Sequence, residues 1–207
     1  MKIHTLNLGE LRSNCYVVET APGRCIIVDL GGDADYLMNF LKLNKLKLTK
    51  ILLTHGHFDH IGGVEEVRRL TGAEVFIHLN DSEMLTSEKF SLASGMSYNP
   101  FIPVTLWTAV EEDAIIQDGD LSFKVIHTPG HSGGSVCYIC EDVIFSGDTL
   151  FNRSIGRTDF LGSNPIDMKK SLKKLSLLEG DYKVLPGHNM PTTLDFERKM
   201  NPYMKNI

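Results

Sequence analysis

Strand patterning opens the chain. Residues 2–8 and 14–19 carry it, and the first run starts on the alternation Met1-Lys2-Ile3-His4. Ala21-Pro22-Gly23-Arg24 is a turn. Cys25-Ile26-Ile27-Val28 is apolar throughout, as a strand buried on both faces is, and Asp29-Leu30-Gly31-Gly32 ends it. The period then becomes helical. Asp33 suits an N-cap, and Leu37, Phe40 and Leu41 follow on one face. Residues 50–53 form the next apolar strand. Gly62-Gly63 opens a second helix with Val64, Val67 and Leu70 at core spacing, and Gly72 stops it. Glu74 to His78 returns as a strand. Strand and helix in alternation predict an α/β arrangement.

Residues 87–109 interrupt this rhythm. Phe90, Met96, Tyr98, Phe101, Pro103 and Trp107 are interleaved with Ser, Gly and Asn, without a period. Such a segment suits a lid, a binding wall or a subunit contact. Beyond the turn Asp118-Gly119-Asp120 the pattern is β-rich, with strands predicted at 121–127, 134–140 and 143–146. Asn164-Pro165 begins a helix whose buried stripe is Met168, Leu172, Leu175 and Leu178. Its lysines, Lys169, Lys170, Lys173 and Lys174, are expected to be a solvated face. A short strand at 182–185 ends in Pro186-Gly187-His188, and a short helix is expected from Asp195.

Candidate chemistry sits where apolar strands stop. The stretch Thr54-His55-Gly56-His57-Phe58-Asp59-His60 follows Ile51-Leu52-Leu53 directly. Residues i and i+2 of an extended backbone point the same way, so His55 and His57 can converge on one ion. Asp59 and His60 are consecutive and need a turn or a second ion. The context recurs at Val125 to His131, Val143 to Asp148 and Val184 to His188, with a glycine immediately before each polar residue. Loops beyond strand ends are where open sheets hold ligands. His55, His57, Asp59, His60, His131, Asp148 and His188 make seven ligand-type residues. That number fits two ions sharing one bridging carboxylate, and imidazole with carboxylate suits zinc, iron or manganese. His4, His78 and His127 lack this context and are read as structural.

Composition narrows the partners. Among 207 residues the net charge is −5, which disfavours nucleic acid, and no apolar run reaches membrane-spanning length. The start has no apolar signal core, so a cytoplasmic protein is expected. Cys137 and Cys140 are spaced like a redox pair but lie in an apolar strand, where an offset of three puts the thiols on opposite faces. Buried free thiols are the expectation for Cys15, Cys25, Cys137 and Cys140.

At these residues the chain resembles the metallo-β-lactamase superfamily. It carries that family's His-x-His-x-Asp-His signature at 55–60, then His131, Asp148 and His188 in order. The resemblance implies a four-layer αββα sandwich, an α/β (α+β) fold in which residues 1–207 form a single domain. It implies that His55, His57 and His131 hold one metal, that Asp59, His60 and His188 hold a second, and that Asp148 bridges them. Asp29 matches a carboxylate that orients ligands; the alternative for it is a simple strand-end cap. Ser146-Gly147-Asp148-Thr149-Leu150-Phe151, then Ser154-Ile155-Gly156-Arg157-Thr158-Asp159-Phe160 and the run from Pro186 to Asn201-Pro202, look most like short glyoxalase II-like proteins, hydroxyacylglutathione hydrolase-like. The helical glutathione-binding domain of full-length glyoxalase II is expected to be missing. The expected reaction is thioester hydrolysis by a metal-bridging hydroxide. Two divalent ions would be present, zinc in first place. The partner would be a small-molecule thioester, and oligomeric state is not legible. Asp59 would ligate and orient, while Arg157 would meet a substrate carboxylate or pair with Asp159. The alternative is a mononuclear-iron persulfide dioxygenase using His55, His131 and Asp148.

Overall fold

The computed structural model describes residues 1–205. The first sheet has six strands in chain order, β1 (Lys2–Leu8), β2 (Ser13–Ala21), β3 (Arg24–Val28), β4 (Lys47–Leu52), β5 (Glu74–His78) and β6 (Thr108–Val110). β1, β2 and β3 pair antiparallel, and β3 through β6 pair parallel. Parallel strands need crossovers, here α1 (Ala34–Leu43) and the short α2 (Phe58–Ile61) with α3 (Val64–Thr71). A 3-10 helix at Leu79–Leu85 follows β5. The second sheet contains β7 (Ile115–Asp118), β8 (Leu121–His127), β9 (Val136–Cys140), β10 (Val143–Gly147), β13 (Lys183–Pro186) and β14 (Thr192–Thr193). Its spatial order is β14-β13-β10-β9-β8-β7, with β10 and β13 parallel. β11 (Leu150–Phe151) and β12 (Ser154–Ile155) form a separate small hairpin. α4 (Pro165–Ser176) and α5 (Leu194–Met200) complete the chain.

Strand alternation builds three apolar layers. Tyr16, Val18, Ile26, Val28 and Leu52 point toward Phe123, Val125, Tyr138 and Phe145 of the other sheet. Cys15, Val17, Cys25, Ile27 and Ile51 point the opposite way, against Leu37, Leu41, Val64 and Val67. Cys137 and Ile144 pack with Met168, Leu172, Leu175 and Leu194. Helix, sheet, sheet, helix is the αββα sandwich, and strands buried on both faces explain the unbroken apolar runs. All four cysteines are buried and free, with Cys137 and Cys140 in different layers.

Several local expectations change. Asp33 precedes α1 but makes no side-chain cap bond; its carboxylate accepts the Gly9 N–H at 2.8 Å instead. Leu70 is 61% exposed. On an ideal helix it lies about 120° from Val64, on the flank opposite Glu65. The buried arc of α3 runs through Val67, Val64 and Glu65, whose carboxylate Arg68 and Arg69 hold at 2.7 Å. The α4 lysines are not uniformly solvated, because Lys174 pairs with Glu112 at 2.6 Å. The Asn164 cap is as expected, its Oδ1 accepting the N–H groups of Ile166 and Asp167. Residues 87–107 contain no strand or helix.

Candidate metal centre

Four strand ends deliver the polar residues to one edge of the sandwich. β4 passes into an extended stretch carrying His55 and His57, and α2 then starts, placing Asp59 and His60 on its first turn. Loops after β8, β10 and β13 bring His131, Asp148 and His188. The last approach requires a missing side chain: a Cβ on Gly187 would collide with the Asp148 carboxylate and lie 2.7 Å from His60 Cε1.

Two groups of three donors result. In His55, His57 and His131, and again in Asp59, His60 and His188, the ligand-type atoms lie within 4.8 Å of one another. Asp148 reaches both groups. Its oxygens are 3.4 Å from His60 Nε2, 3.5 Å from His131 Nε2 and 3.7 Å from His188 Nε2. Asp29 also lies near His55 and His60, yet its oxygens are occupied. Oδ1 accepts the Thr54 N–H at 2.8 Å. Oδ2 accepts the Thr54 hydroxyl at 2.7 Å and faces His60 Nδ1 at 2.9 Å.

Those contacts fix which imidazole nitrogens keep lone pairs. The Thr54 hydroxyl hydrogen goes to Asp29, so Thr54 Oγ1 accepts from His55 Nδ1 at 3.0 Å. His131 Nδ1 donates to the Arg157 carbonyl at 2.9 Å, and His60 Nδ1 donates to Asp29. In the His55 and His131 rings Nε2 is left as the acceptor, and in His60 it is the nitrogen turned toward the Asp59 and Asp148 carboxylates. His57 Nδ1 faces His131 Nε2 at 2.9 Å, and His60 Nε2 faces His188 Nε2 at 3.3 Å. Among the described residues, His55 Nε2, His57 Nε2 and Asp148 Oδ1 are buried side-chain atoms without a hydrogen-bond partner. Buried polar groups are nearly always satisfied. Converging lone pairs with orphaned neighbours are a donor set that fits cations.

Charge separates the two groups. Burial, and then the neighbouring imidazoles, hold His55 well below the usual histidine range. Burial and His131 push His57 down to about 3. Burial opposes charge on His60 too, but the carboxylates of Asp59, Asp148 and Asp29 overcome it and lift the group to about 10. Asp59 shows the converse: burial raises it, while His60 and His188 bring it well below the carboxylate range.

β2 braces the second group, which no sequence signal announced. The Ser13 hydroxyl donates to the Asp59 carbonyl at 2.6 Å. Asn14 Nδ2 donates to the Pro186 and Asn189 carbonyls at 2.9 Å, and Tyr16 Oη donates to Pro186 at 2.6 Å, fixing the loop of His188. Asp81, also unannounced, is wholly buried and accepts from Gly56, Ser132 and Gly134. Arg157 pairs with Asp159 through bonds of 2.9 and 2.8 Å, both side chains exposed. Its guanidinium lies 4.2 Å from the Phe160 ring centre, and that ring stands edge-on to His57 at 5.8 Å. His78 and His127 stack in parallel at 4.0 Å, apart from the donor groups.

The sandwich, with donors gathered at its edge, defines a class. The sequence profile of the metallo-β-lactamase superfamily matches residues 8–188. The chain belongs to that superfamily and is a metal-dependent hydrolase. It is 35% identical over 213 residues to the probable metallo-hydrolase YqgX of Bacillus subtilis, covering 100% of this chain and 99% of the relative. It is 29% identical over 215 residues to the hydroxyacylglutathione hydrolase GloC of Haemophilus influenzae, with the same coverage. Among solved structures, the B3 metallo-β-lactamase BLEG-1 superposes with a TM-score of 0.92 at 35% identity, over 99% of this chain and 100% of that one. TTHA1623 in a di-iron-bound form superposes with a TM-score of 0.87 at 33% identity, over 97% and 99%. Among the described residues no helix is long and apolar enough to cross a membrane.

Proposed function

We propose that this chain hydrolyses a small-molecule thioester, of the hydroxyacylglutathione kind, using two divalent cations. His55, His57 and His131 would hold one, Asp59, His60 and His188 the other, and Asp148 both. The observation that carries this reading is the convergence of imidazole Nε2 atoms, oriented by Asp29, Thr54 and the Arg157 carbonyl, around the Asp148 carboxylate. Nitrogen and oxygen donors of this kind take zinc first, and iron or manganese as well. Bound ions of this type lower the pKa of water and stabilise negative charge developing on oxygen.

The rest falls to the chain's own groups. Asp59 is anchored through Ser13 and lies 3.0 Å from His188, a position from which its free lone pairs can orient an attacking water. Among the described buried groups beside the donors, the carboxylates of Asp29 and Asp81 are fully engaged, so no spare acid stands ready to protonate a leaving group. A thiolate leaves without one, whereas an amine or alkoxide does not. GloC, similar over its full length, is named for such a substrate. Arg157 lies exposed by the donor cluster and would exchange Asp159 for a substrate carboxylate through its bidentate fork. Both sheets supply donors to one site, which supports residues 1–207 acting as a single catalytic unit. Free buried thiols fit a reducing compartment, and we place the protein in the cytoplasm. A one-iron oxygenase built on His55, His131 and Asp148 would leave Asp59, His60 and His188 without a task. Their mutual approach to 3.0–3.4 Å favours the two-ion hydrolase.

The test is metal analysis of the purified protein beside panels of thioesters and β-lactams. Two ions per chain with thioester cleavage are expected, and His57→Ala should abolish turnover in a folded protein. One iron with sulfide-dependent oxygen uptake, or β-lactam cleavage alone, would overturn the assignment.

A further inference from the structure

Asp81 has no place in either donor group, yet it is among the most constrained side chains in the molecule. It sits in the 3-10 helix after β5 and is 0% exposed. Its Oδ2 accepts the Gly56 N–H at 3.1 Å and the Ser132 hydroxyl at 2.6 Å, and its Oδ1 accepts the Gly134 N–H at 2.6 Å. Ser132 Oγ lies 2.7 Å from Ser135 Oγ, which also accepts the Ser132 N–H at 3.1 Å. Gly56 is the residue between His55 and His57, and Ser132 immediately follows His131. One carboxylate therefore ties together the two segments that carry the all-imidazole group. None of its hydrogen bonds goes to residues 59, 60, 148 or 188.

The packing is as tight as the bonding. A Cβ on Gly134 would lie 2.6 Å from the Asp81 amide nitrogen and 2.7 Å from its carboxyl carbon. A Cβ on Gly56 would meet Met84 Cβ at 2.5 Å and the Asp81 carbonyl at 3.1 Å. The 3-10 helix is seated directly on the 55–57 stretch, with only glycine fitting at the contacts. Burial pushes the Asp81 carboxyl up, against the pull of the Ser132, Gly134 and Gly56 donors. Asp29 offers the contrast. It holds His60, a ring of the other group, directly, and reaches His55 only through the Thr54 hydroxyl.

We propose that Asp81 is the positioning residue for the ion held by His55, His57 and His131, setting the spacing between the 55–57 stretch and His131 without touching the ion. The proposal rests on the two-ion reading above. The chemistry of an isosteric replacement makes it sharp. Asparagine offers one acceptor oxygen and one NH2 where the site presents two fixed backbone N–H donors on opposite carboxylate oxygens. The Ser132 hydroxyl can turn, but in either amide orientation one backbone N–H faces a donor. Asp81→Asn thus removes the clip without changing volume.

The experiment measures cobalt(II) affinity by chelator competition in variants that keep one group intact. In a His188→Ala background the remaining high-affinity ion belongs to the imidazole group. Adding Asp81→Asn there should weaken it by about 10- to 100-fold, the range seen when outer hydrogen-bond partners of ligands are lost. In a His57→Ala background the same addition should leave the ion held through Asp59 and His60 within about twofold, as expected for uncoupled sites. Circular dichroism checks the fold. Should Asp81→Asn fail to fold, Ser132→Ala removes one of its three donors and should weaken the imidazole-group ion several-fold, in the His188→Ala background only. Equal loss in both backgrounds, or no loss in either, overturns the assignment of Asp81. A parent protein that binds fewer than two cobalt ions overturns the two-ion reading itself, and this inference with it.

Discussion

The two halves of the donor cluster share one carboxylate and one edge of the sandwich, but they solve opposite electrostatic problems. His55, His57 and His131 are three imidazoles, and burial keeps protons off the first two. Asp59, His60 and His188 mix carboxylate with imidazole, and three acidic neighbours draw a proton onto His60. The first half is held by hydrogen bonds to loops around it, through Thr54, the Arg157 carbonyl and Asp81. The second is held from the first sheet, through Asp29, Ser13, Asn14 and Tyr16. Burial alone does not set the protonation of a histidine. His55 and His60 are 1% and 0% exposed and shift in opposite directions. What differs is the charge facing each ring.

That difference can be broken most completely at Asp148, the group common to both halves. Asp148→Asn should remove the shared charge, lower bound metal below two ions and cut turnover by more than about 100-fold, beyond the usual cost of losing an outer partner. Metal analysis and steady-state kinetics check it. Asp29→Asn acts on one half. It should weaken the ion at Asp59, His60 and His188 by about 10- to 100-fold, with a smaller effect on the imidazole group through Thr54. Chelator competition reads this.

The pH response of chelator-treated protein sharpens the comparison further. His55 and His57 lie below their ordinary value of 6.5 in the fold, His57 at about 3, so the unfolded chain binds more protons between these limits. Their contribution is present above about pH 6.5 and is lost as pH falls. His60 is raised to about 10, so its contribution is full below about pH 6.5 and is lost as pH rises toward 10. Thermal melting across pH 4 to 10 should therefore show stability falling at both ends, and His60→Gln should remove the alkaline loss while keeping the acid one. The smallest effect is expected at the rim. Arg157→Ala should leave thermal melting nearly unchanged, because an exposed ion pair contributes little to stability. It should raise KM about tenfold for a carboxylate-bearing thioester, with kcat little changed, because His131 leans on the backbone carbonyl of residue 157 and not on its side chain.

Legibility in the sequence followed the range of the interaction. The apolar runs 25–28, 51–53 and 143–145 were readable because burial on both faces makes them continuously apolar, whereas the start of β4, residues 47–49, is partly exposed and mixed in polarity and was not announced. The α4 start was readable because an Asn cap and a first-turn proline are local devices. The donor cluster was readable because polar residues at strand ends repeat a context. Leu70 was misleading, since spacing alone does not tell to which side of Val64 and Val67 the buried arc extends, and in α3 it extends toward the paired Glu65. Asp33 was misleading too, because its carboxylate had a competing donor in Gly9, distant in sequence but close in the fold. Strands β6 and β7 are short edge pieces whose partners, not their own residues, define them.

The sequence by itself determined the elements, the layer grammar and the inventory of ligand-type side chains, because periodicity, capping and strand-end context are encoded within a few residues. Only the tertiary structure decided which nitrogen of each ring faces inward, which carboxylates brace and which are free to bind, and that Asp81 joins residues 56, 132 and 134. A hydrogen bond between segments far apart in the chain has no local signature. Its partners are chosen by the packing that brings them within 3 Å.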